Sequence, residues 1–127
     1  MSTEEFGQRY AQAWCSQDPD QVAAFYAEDG SLTVNDGEPA VGRAAIAGVA
    51  RGFMTEFPDM VVTMDRLVAK TGGHEFHWTV TGTYAANGNK VRFSGYEDWR
   101  FGSDGLVEES NGFFDADDYA RQIRGGA

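Results

Sequence analysis

Residues 74–101 read HEFHWTVTGTYAANGNKVRFSGYEDWRF, and this stretch decides the fold. Large apolar side chains alternate with polar ones along its first half, and this period of two predicts a strand with unlike faces. Asn87-Gly88-Asn89 suits the backbone angles of a tight turn, so we expect a second strand to return beside the first. In a simple hairpin register one face carries Phe76, Trp78, Val80, Gly82, Tyr84, Phe93, Gly95, Glu97 and Trp99.

One carboxylate, Glu97, therefore falls within a row of large apolar side chains. Burying a carboxylate without a partner is costly, so its position needs an explanation. Two explanations are purely structural: an ion pair with Arg92 or Arg100, or a one-residue slip in register that exposes the side chain. The third is functional, because a carboxyl in an apolar pocket has a raised pKa and can stay protonated at neutral pH. The next residue, Asp98, alternates to the opposite face.

Helical patterns precede the hairpin. Ser2 and Glu5 form a capping-box pattern that predicts a first helix ending near Gln17. Asp18-Pro19 predicts the start of a second helix, whose apolar stripe of Val22, Phe25 and Tyr26 runs to a stop at Asp29-Gly30. A third helix opens after Gly42 and ends before Pro58. Its stripe is the widest, so we expect this helix to cover the aromatic row, and it carries Ile46, Val49, Ala50, Phe53, Met54 and Phe57.

The remaining segments predict strands. We expect strands at 31–34, 60–70 and 106–114, with Gly-rich turns at 72–73 and 102–105. Asp115 is placed to cap a short final helix that runs through Ile123. Helices followed by an antiparallel meander predict an α+β fold.

Composition limits the class of protein. The 127 residues fit one domain covering 1–127, and 42% hydrophobic content supports a packed core. Twenty acidic residues against ten basic ones give a formal net charge of -10, which argues against nucleic acid or an anionic membrane as a partner. Cys15 is the single cysteine, and no cluster has metal-ligand spacing, so we expect no disulfide and no metal. Without a signal sequence or a membrane-length apolar run, we expect a cytoplasmic protein.

The order of four stretches resembles the SnoaL-like branch of the nuclear transport factor 2-like superfamily. These stretches are QRYAQAWCSQDP, FYAEDGSLTVNDGEPAVGRAAI, the pair EFHWTVTGTY with GYEDWRF, and ESNGFFDADDYARQI. The resemblance implies a cone: a strongly bent antiparallel sheet wraps the N-terminal helices and leaves a pocket at its open end. It also implies a homodimer, and the threonine-rich outer face of the central strands, where His77 lies, is the expected contact.

Part of the chain resembles the ketosteroid isomerases of that superfamily. By this resemblance Tyr10 matches their oxyanion-hole tyrosine, Asp36 matches their catalytic base, and Glu97 falls at the place of their protonated aspartate. A gap moved by one residue puts Asp98 there instead. A purely structural role remains open for two of these residues. Tyr10 also fits the apolar stripe of an amphipathic helix, and Asp36 in Asn-Asp-Gly is also a residue that an ordinary turn prefers.

These residue types suit proton transfer next to a carbonyl group. A base takes a proton from carbon, while a tyrosine hydroxyl and a neutral carboxylic acid donate hydrogen bonds to the developing enolate. We therefore predict a cofactor-independent isomerase or cyclase that acts on a small apolar carbonyl compound. The alternative is a non-catalytic binding or dimerisation module, and epoxide hydrolysis is less favoured because Glu97 and Arg100 alternate to opposite faces. The predicted pocket wall consists of Trp14, Val49, Phe53, Trp78, Val80, Phe93, Trp99, Ser110, Gly112 and Phe114.

Overall fold

The computed structural model describes residues 2–125, which form four helices and six strands. Helices and strands alternate early in the chain, and a meander of long strands follows. In chain order the elements are α1 (Thr3–Cys15), α2 (Pro19–Ala23), β1 (Tyr26–Val34), β2 (Ala40–Val41), α3 (Arg43–Glu56), β3 (Val61–Lys70), β4 (Gly73–Thr83), β5 (Lys90–Phe101), β6 (Val107–Phe114) and α4 (Ala116–Ile123).

All six strands form one strongly curled sheet in the order β2-β1-β6-β5-β4-β3. The sheet encloses a core shared with the N-terminal helices, which is the predicted α+β cone. One pairing differs from the predicted antiparallel meander, because β1 lies parallel to β6 with Leu32 opposite Ser110. The connection between these two strands therefore contains α3 and the whole β3–β5 meander, and it closes the cone.

The hairpin at the centre of the prediction has the register that the sequence indicates. Phe76 pairs with Glu97, Trp78 with Gly95 and Val80 with Phe93, and directly opposed residues share a face of the sheet. The side chain of Glu97 is accordingly buried, with 7% of its surface exposed. The slipped register that would expose it is excluded.

The predicted helix starts are confirmed, but the end of α2 and the start of β1 lie earlier in the chain than predicted. The side chains of Ser2, Asp18 and Asp115 each accept a hydrogen bond from a backbone amide in the first turn of α1, α2 and α4. The second helix ends early, at Ala23, and β1 begins at Tyr26 rather than at Ser31. Spacings of three and four between apolar residues also occur where a helix passes directly into a strand, so the stripe extended the predicted helix too far.

Helices α1 and α3 share the cover of the aromatic row, whereas the sequence predicted α3 alone. The ring of Tyr10 packs edge-on against Phe76 and Trp99, with centroids 5.3 and 5.2 Å apart. Helix α3 packs against α2 and β1 and contributes Val49 and Phe53 to the wall of a cavity. At its C-terminal end the ring of Phe57 lies 5.7 Å from that of Tyr84 and 6.3 Å from that of Phe93, centroid to centroid. Gly7 explains how close α1 comes to the sheet, because a Cβ there would lie 2.6 Å from the sulfur of Met64.

Within residues 2–125, no helix is long and apolar enough to cross a membrane. The cytoplasmic location stays a prediction.

Candidate functional site

An apolar cavity lies between the curled sheet and helices α1 and α3. Its volume is about 70 Å³, measured as the space that the centre of a water molecule can occupy. One water needs only a fraction of that volume. Four half-buried residues, Val34, Val49, Phe53 and Phe114, mark its mouth. The other lining residues are buried: Trp14, Leu32, Met60, Val62, Phe76, Trp78, Val80, Phe93, Glu97 and Gly112. Across the part of the chain that the structure describes, Glu97 is the one ionisable side chain in this wall.

Four polar side chains lie within hydrogen-bonding distance of one oxygen of Glu97, and three of them can donate to it at once, because each tyrosine hydroxyl has a single proton. Oε1 of Glu97 lies 2.7 Å from the Ser110 hydroxyl, 2.9 Å from the Tyr10 hydroxyl, 3.0 Å from Nε1 of Trp99 and 3.3 Å from the Tyr26 hydroxyl. The two tyrosine hydroxyls are 2.8 Å apart, so one of them donates to the other. These four side chains and Glu97 are called the Glu97 network below.

The two oxygens of Glu97 are not equivalent. An indole N–H can only donate, so Oε1 must act as an acceptor whatever the protonation state of the carboxyl. Oε2 has a single neighbour in the Glu97 network, the Tyr10 hydroxyl at 3.2 Å. When Glu97 carries a proton, that proton therefore belongs on Oε2. This oxygen is also the one that is left to meet a ligand.

Burial raises the pKa of the Glu97 carboxyl, and the hydrogen bonds from Trp99, Ser110, Tyr10 and Tyr26 partly oppose the rise. Burial, followed by the negative charge of Glu97, raises the pKa of both tyrosines well above the ordinary value of 10.0. Both tyrosines thus remain neutral hydrogen-bond donors. The site favours a neutral carboxyl surrounded by neutral donors.

A raised pKa makes stability depend on pH with a definite sign. In the unfolded chain Glu97 loses its proton near the ordinary value of 4.5, while the folded chain holds it to higher pH. The stabilisation is therefore complete below that value and is lost as pH rises through the folded pKa. We expect the unfolding free energy of the wild type, minus that of Glu97→Gln, to fall in urea titrations as pH rises above the unfolded pKa of Glu97.

Glu109 is a matched control for this experiment. Hydrogen bonds from Asn111 and Arg100 lower the pKa of Glu109, so its contribution is present above its unfolded pKa and is lost as pH falls. The same difference measured with Glu109→Gln should therefore rise with pH. A difference that rises with pH for Glu97 as well would show that the surrounding donors hold it ionised, and would contradict the neutral carboxyl.

The predicted base, Asp36, does not line the cavity. It is exposed and belongs to a turn closed by the bond from Gly37 N–H to the Val34 carbonyl, 3.0 Å, with φ values of 49° at Asn35 and 60° at Asp36. The turn borders the mouth, because Val34 lines the cavity and Asn35 N–H donates to the Gly112 carbonyl. The structure thus brings Tyr10 and Glu97 together and leaves Asp36 at the rim.

The structure places two predicted wall residues behind Glu97 instead of in the wall. Trp99 and Ser110 are 1% and 0% exposed and direct their donors at Oε1. Tyr26 was missed as a site residue because the sequence assigns it to a helix stripe. No local sequence signal marks it, because its position follows from the pairing of β1 with β6, which places Tyr26 opposite Val107.

The open alternatives for the charged residues are resolved by their partners. Arg100 pairs with Glu108 and Glu109, at 2.8 and 3.1 Å, and not with Glu97. Asp98 lies on the outer face, 2.8 Å from Lys70, so Glu97 and not Asp98 faces the cavity. Within residues 2–125, no group of three or more His, Cys, Asp or Glu side chains is placed to hold a metal ion.

A curled sheet around N-terminal helices, with a carboxyl in the wall of an apolar cavity, defines a cone-shaped protein of the nuclear transport factor 2-like superfamily. The sequence pattern of the SnoaL-like domain matches residues 8–110, and the chain belongs to that family. No curated protein matches the sequence.

Solved structures share the fold at low sequence identity. A hypothetical protein with a ketosteroid isomerase-like fold from Catenulispora acidiphila, in complex with trimethylamine, has 16% identity and a TM-score of 0.87 over 99% of this chain and 96% of that one. A SnoaL-like polyketide cyclase, so described, from Jannaschia sp. has 15% identity and a TM-score of 0.84 over 98% and 92%. AclR from Streptomyces galilaeus, described as a hydroxylase, has 20% identity and a TM-score of 0.81 over 98% and 96%. At these identities the likeness extends to the fold alone.

Proposed function

We propose that this protein is a cofactor-independent acid/base enzyme of the isomerase or cyclase kind that acts on a small apolar carbonyl compound. The observation that supports this proposal is the single carboxyl of Glu97 in the wall of an apolar cavity, with four hydrogen-bonding side chains around one of its oxygens. An apolar wall admits a hydrocarbon body, and a neutral Oε2–H donates to a carbonyl oxygen.

In this proposal Glu97 stabilises the enolate and Asp36 moves the proton. The carbonyl oxygen accepts a hydrogen bond from Oε2–H of Glu97, which stabilises negative charge as the enolate forms. The Asp36 carboxylate at the rim takes the α-proton and later returns a proton to carbon. Tyr10 donates to the carboxyl and holds it in place, and Tyr26 supports Tyr10.

The experiment is hydrogen–deuterium exchange at the α-carbons of cyclohexanone in D₂O, followed by proton NMR. The wild type should accelerate exchange above buffer, because Asp36 is exposed and trades its proton with solvent between turnovers. Asp36→Asn should abolish the acceleration and leave the circular dichroism spectrum unchanged. Unchanged exchange in Asp36→Asn would remove this residue from the mechanism.

A binding protein without catalysis is the second candidate. Six aromatic rings, from Trp14, Phe53, Phe76, Trp78, Phe93 and Phe114, surround one carboxyl, and aromatic faces attract organic cations. A structural neighbour is described in complex with trimethylamine. If Glu97 is ionised in use, trimethylammonium should bind in a calorimetric titration at pH 7 and should not bind to Glu97→Gln. Cation binding without ketone exchange would favour this candidate.

We also propose that the outer face of the sheet pairs with a second copy of the chain. The half-buried rings of His77, Tyr96 and Phe113 form a row across three strands, with centroids 5.3 Å apart at each step. The same face carries both signs of charge, in the pairs of Lys70 with Asp98 and of Arg100 with Glu109. Aromatic rings with a mixed-charge rim suit self-association, despite a net charge of -10 that opposes it.

Sedimentation velocity at micromolar concentration tests this contact. The wild type should sediment as a dimer, and Tyr96→Arg should sediment as a monomer because a charge would be buried at the centre of the interface. Val41→Arg is the control, since Val41 is 63% exposed on β2 and lies outside the ring row. A monomeric wild type would contradict the proposal.

A further inference from the structure

Gly112 lies in the middle of β6, directly opposite Glu97, and it lines the cavity. Its backbone lies outside the left-handed region, so its φ does not require glycine. A Cβ built at this position would make only ordinary van der Waals contacts: 3.6 Å to Cγ of Glu97, 3.7 Å to the Thr33 carbonyl and 4.0 Å to the Tyr96 carbonyl. Neither the backbone nor the packing demands the absence of a side chain here.

Gly95, on the neighbouring strand, shows what a structural glycine looks like. A Cβ at Gly95 would collide with the Phe113 carbonyl oxygen and would lie 2.7 Å from the Trp78 ring. Glycine weakens a strand, because it loses more conformational freedom on folding than other residues and offers no side chain to pack. At Gly95 close packing requires a glycine and so explains that loss of stability. At Gly112 no packing contact requires one.

What Gly112 provides is open space beside the one carboxyl of the cavity wall. A methyl group there would project next to the Glu97 side chain, where the polar group of a ligand must pass to reach Oε2. A strand glycine without a packing role marks a place where another molecule comes close to the backbone.

We propose that Gly112 is the specificity-determining residue of this cavity: its missing side chain admits the carbonyl end of a compact cyclic ketone to Glu97. This inference rests on the proposed function for the identity of the polar group. The ligand would lie with its carbonyl end over the α-carbon of Gly112 and its hydrocarbon body against the aromatic wall. The class of substrate is then a ring compound that is narrow at its carbonyl end.

The test is Gly112→Ala, with cyclohexanone and benzene as probes in ligand-observed NMR titrations. Replacing a strand glycine where space allows should leave the midpoint of thermal unfolding unchanged or raise it by roughly 2–4 °C. The affinity for cyclohexanone should fall about tenfold to a hundredfold, the usual effect of one extra methylene-sized group in a filled pocket. The affinity for benzene should fall as well.

Gly48→Ala on α3 is the matched control. Gly48 is exposed, and a Cβ there would meet no atom within 4 Å, so this variant should gain thermal stability and keep both affinities. If Gly112→Ala unfolds, or its unfolding midpoint drops by several degrees, the glycine is structural and the inference is overturned. Unchanged affinities for both probes in Gly112→Ala would overturn it as well.

Benzene separates this inference from the proposed function. If the wild type binds benzene but not cyclohexanone, the carbonyl-directed function fails, and the loss of benzene binding in Gly112→Ala still decides whether Gly112 controls access. If the wild type binds neither probe, the space beside Glu97 does not admit ligands, and the inference is overturned.

Discussion

Glu97→Gln is expected to slow the α-proton exchange of cyclohexanone by about 10²-fold to 10³-fold, the usual cost of removing one hydrogen-bond donor to a developing oxyanion. Glutamine has the same shape, and its amide oxygen can still accept from Ser110 and Trp99. The Oε2–H group, however, becomes an amide N–H, which is a much weaker acid and a weaker donor to a developing enolate. Proton NMR in D₂O measures the rate directly.

Asp98→Asn supplies the control for this variant. It is the next residue in β5, it makes the same change from carboxyl to amide, and its side chain lies on the outer face beside Lys70. Asp98→Asn should exchange cyclohexanone at the wild-type rate. If Glu97→Gln also keeps that rate, Glu97 does not stabilise the enolate.

Glu97→Ala should destabilise the folded chain by about 3 kcal/mol or more, because it leaves several buried donors without their acceptor. The Trp99 indole and the hydroxyls of Ser110, Tyr10 and Tyr26 all approach within 3.3 Å of Oε1. Glu97→Gln keeps an acceptor at that position and should cost about 1 kcal/mol. Urea unfolding followed by tryptophan fluorescence measures both free energies.

A Tyr10→Phe background tests whether unpaired donors cause that loss. Removing the Tyr10 hydroxyl removes one of the donors, so the cost of Glu97→Ala should shrink by about 1 kcal/mol in this background. Equal costs in both backgrounds would point to the enlarged cavity as the cause of the destabilisation.

The sequence predicted the inner face of the central hairpin because period two admits only two registers, and the aromatic residues select one of them. That register alone directs Glu97 inward and Asp98 outward. Helix starts were also predictable, since Ser2, Asp18 and Asp115 are capping residues whose bonds are local. The features that depend on residues close together in the chain, namely the hairpin register and the helix starts, could be predicted from the sequence.

Contacts between segments far apart in the chain could not be predicted from the sequence. Tyr26 reaches Glu97 from 71 residues away in the sequence, and no local pattern reports that β1 lies beside β6. That α1 also lies over the aromatic row depends on contacts between distant segments, such as the packing of Tyr10 on Phe76 and Trp99. The exposed position of Asp36 follows from two left-handed residues in its turn, and turn chemistry fits a catalytic loop and an ordinary one equally well.

The parallel pairing of β1 with β6 also affects the order in which the chain folds during translation. Tyr10 and Glu97 are separated by 87 positions, and β6 must insert between β1 and β5 before the cone can close. Contacts of such long range form slowly, because the entropy of closing the loop is lost before any stabilisation is gained. We expect α1–α3 and the β3–β5 meander to form first during translation, with an exposed strand edge that needs protection until β6 (Val107–Phe114) has been synthesised.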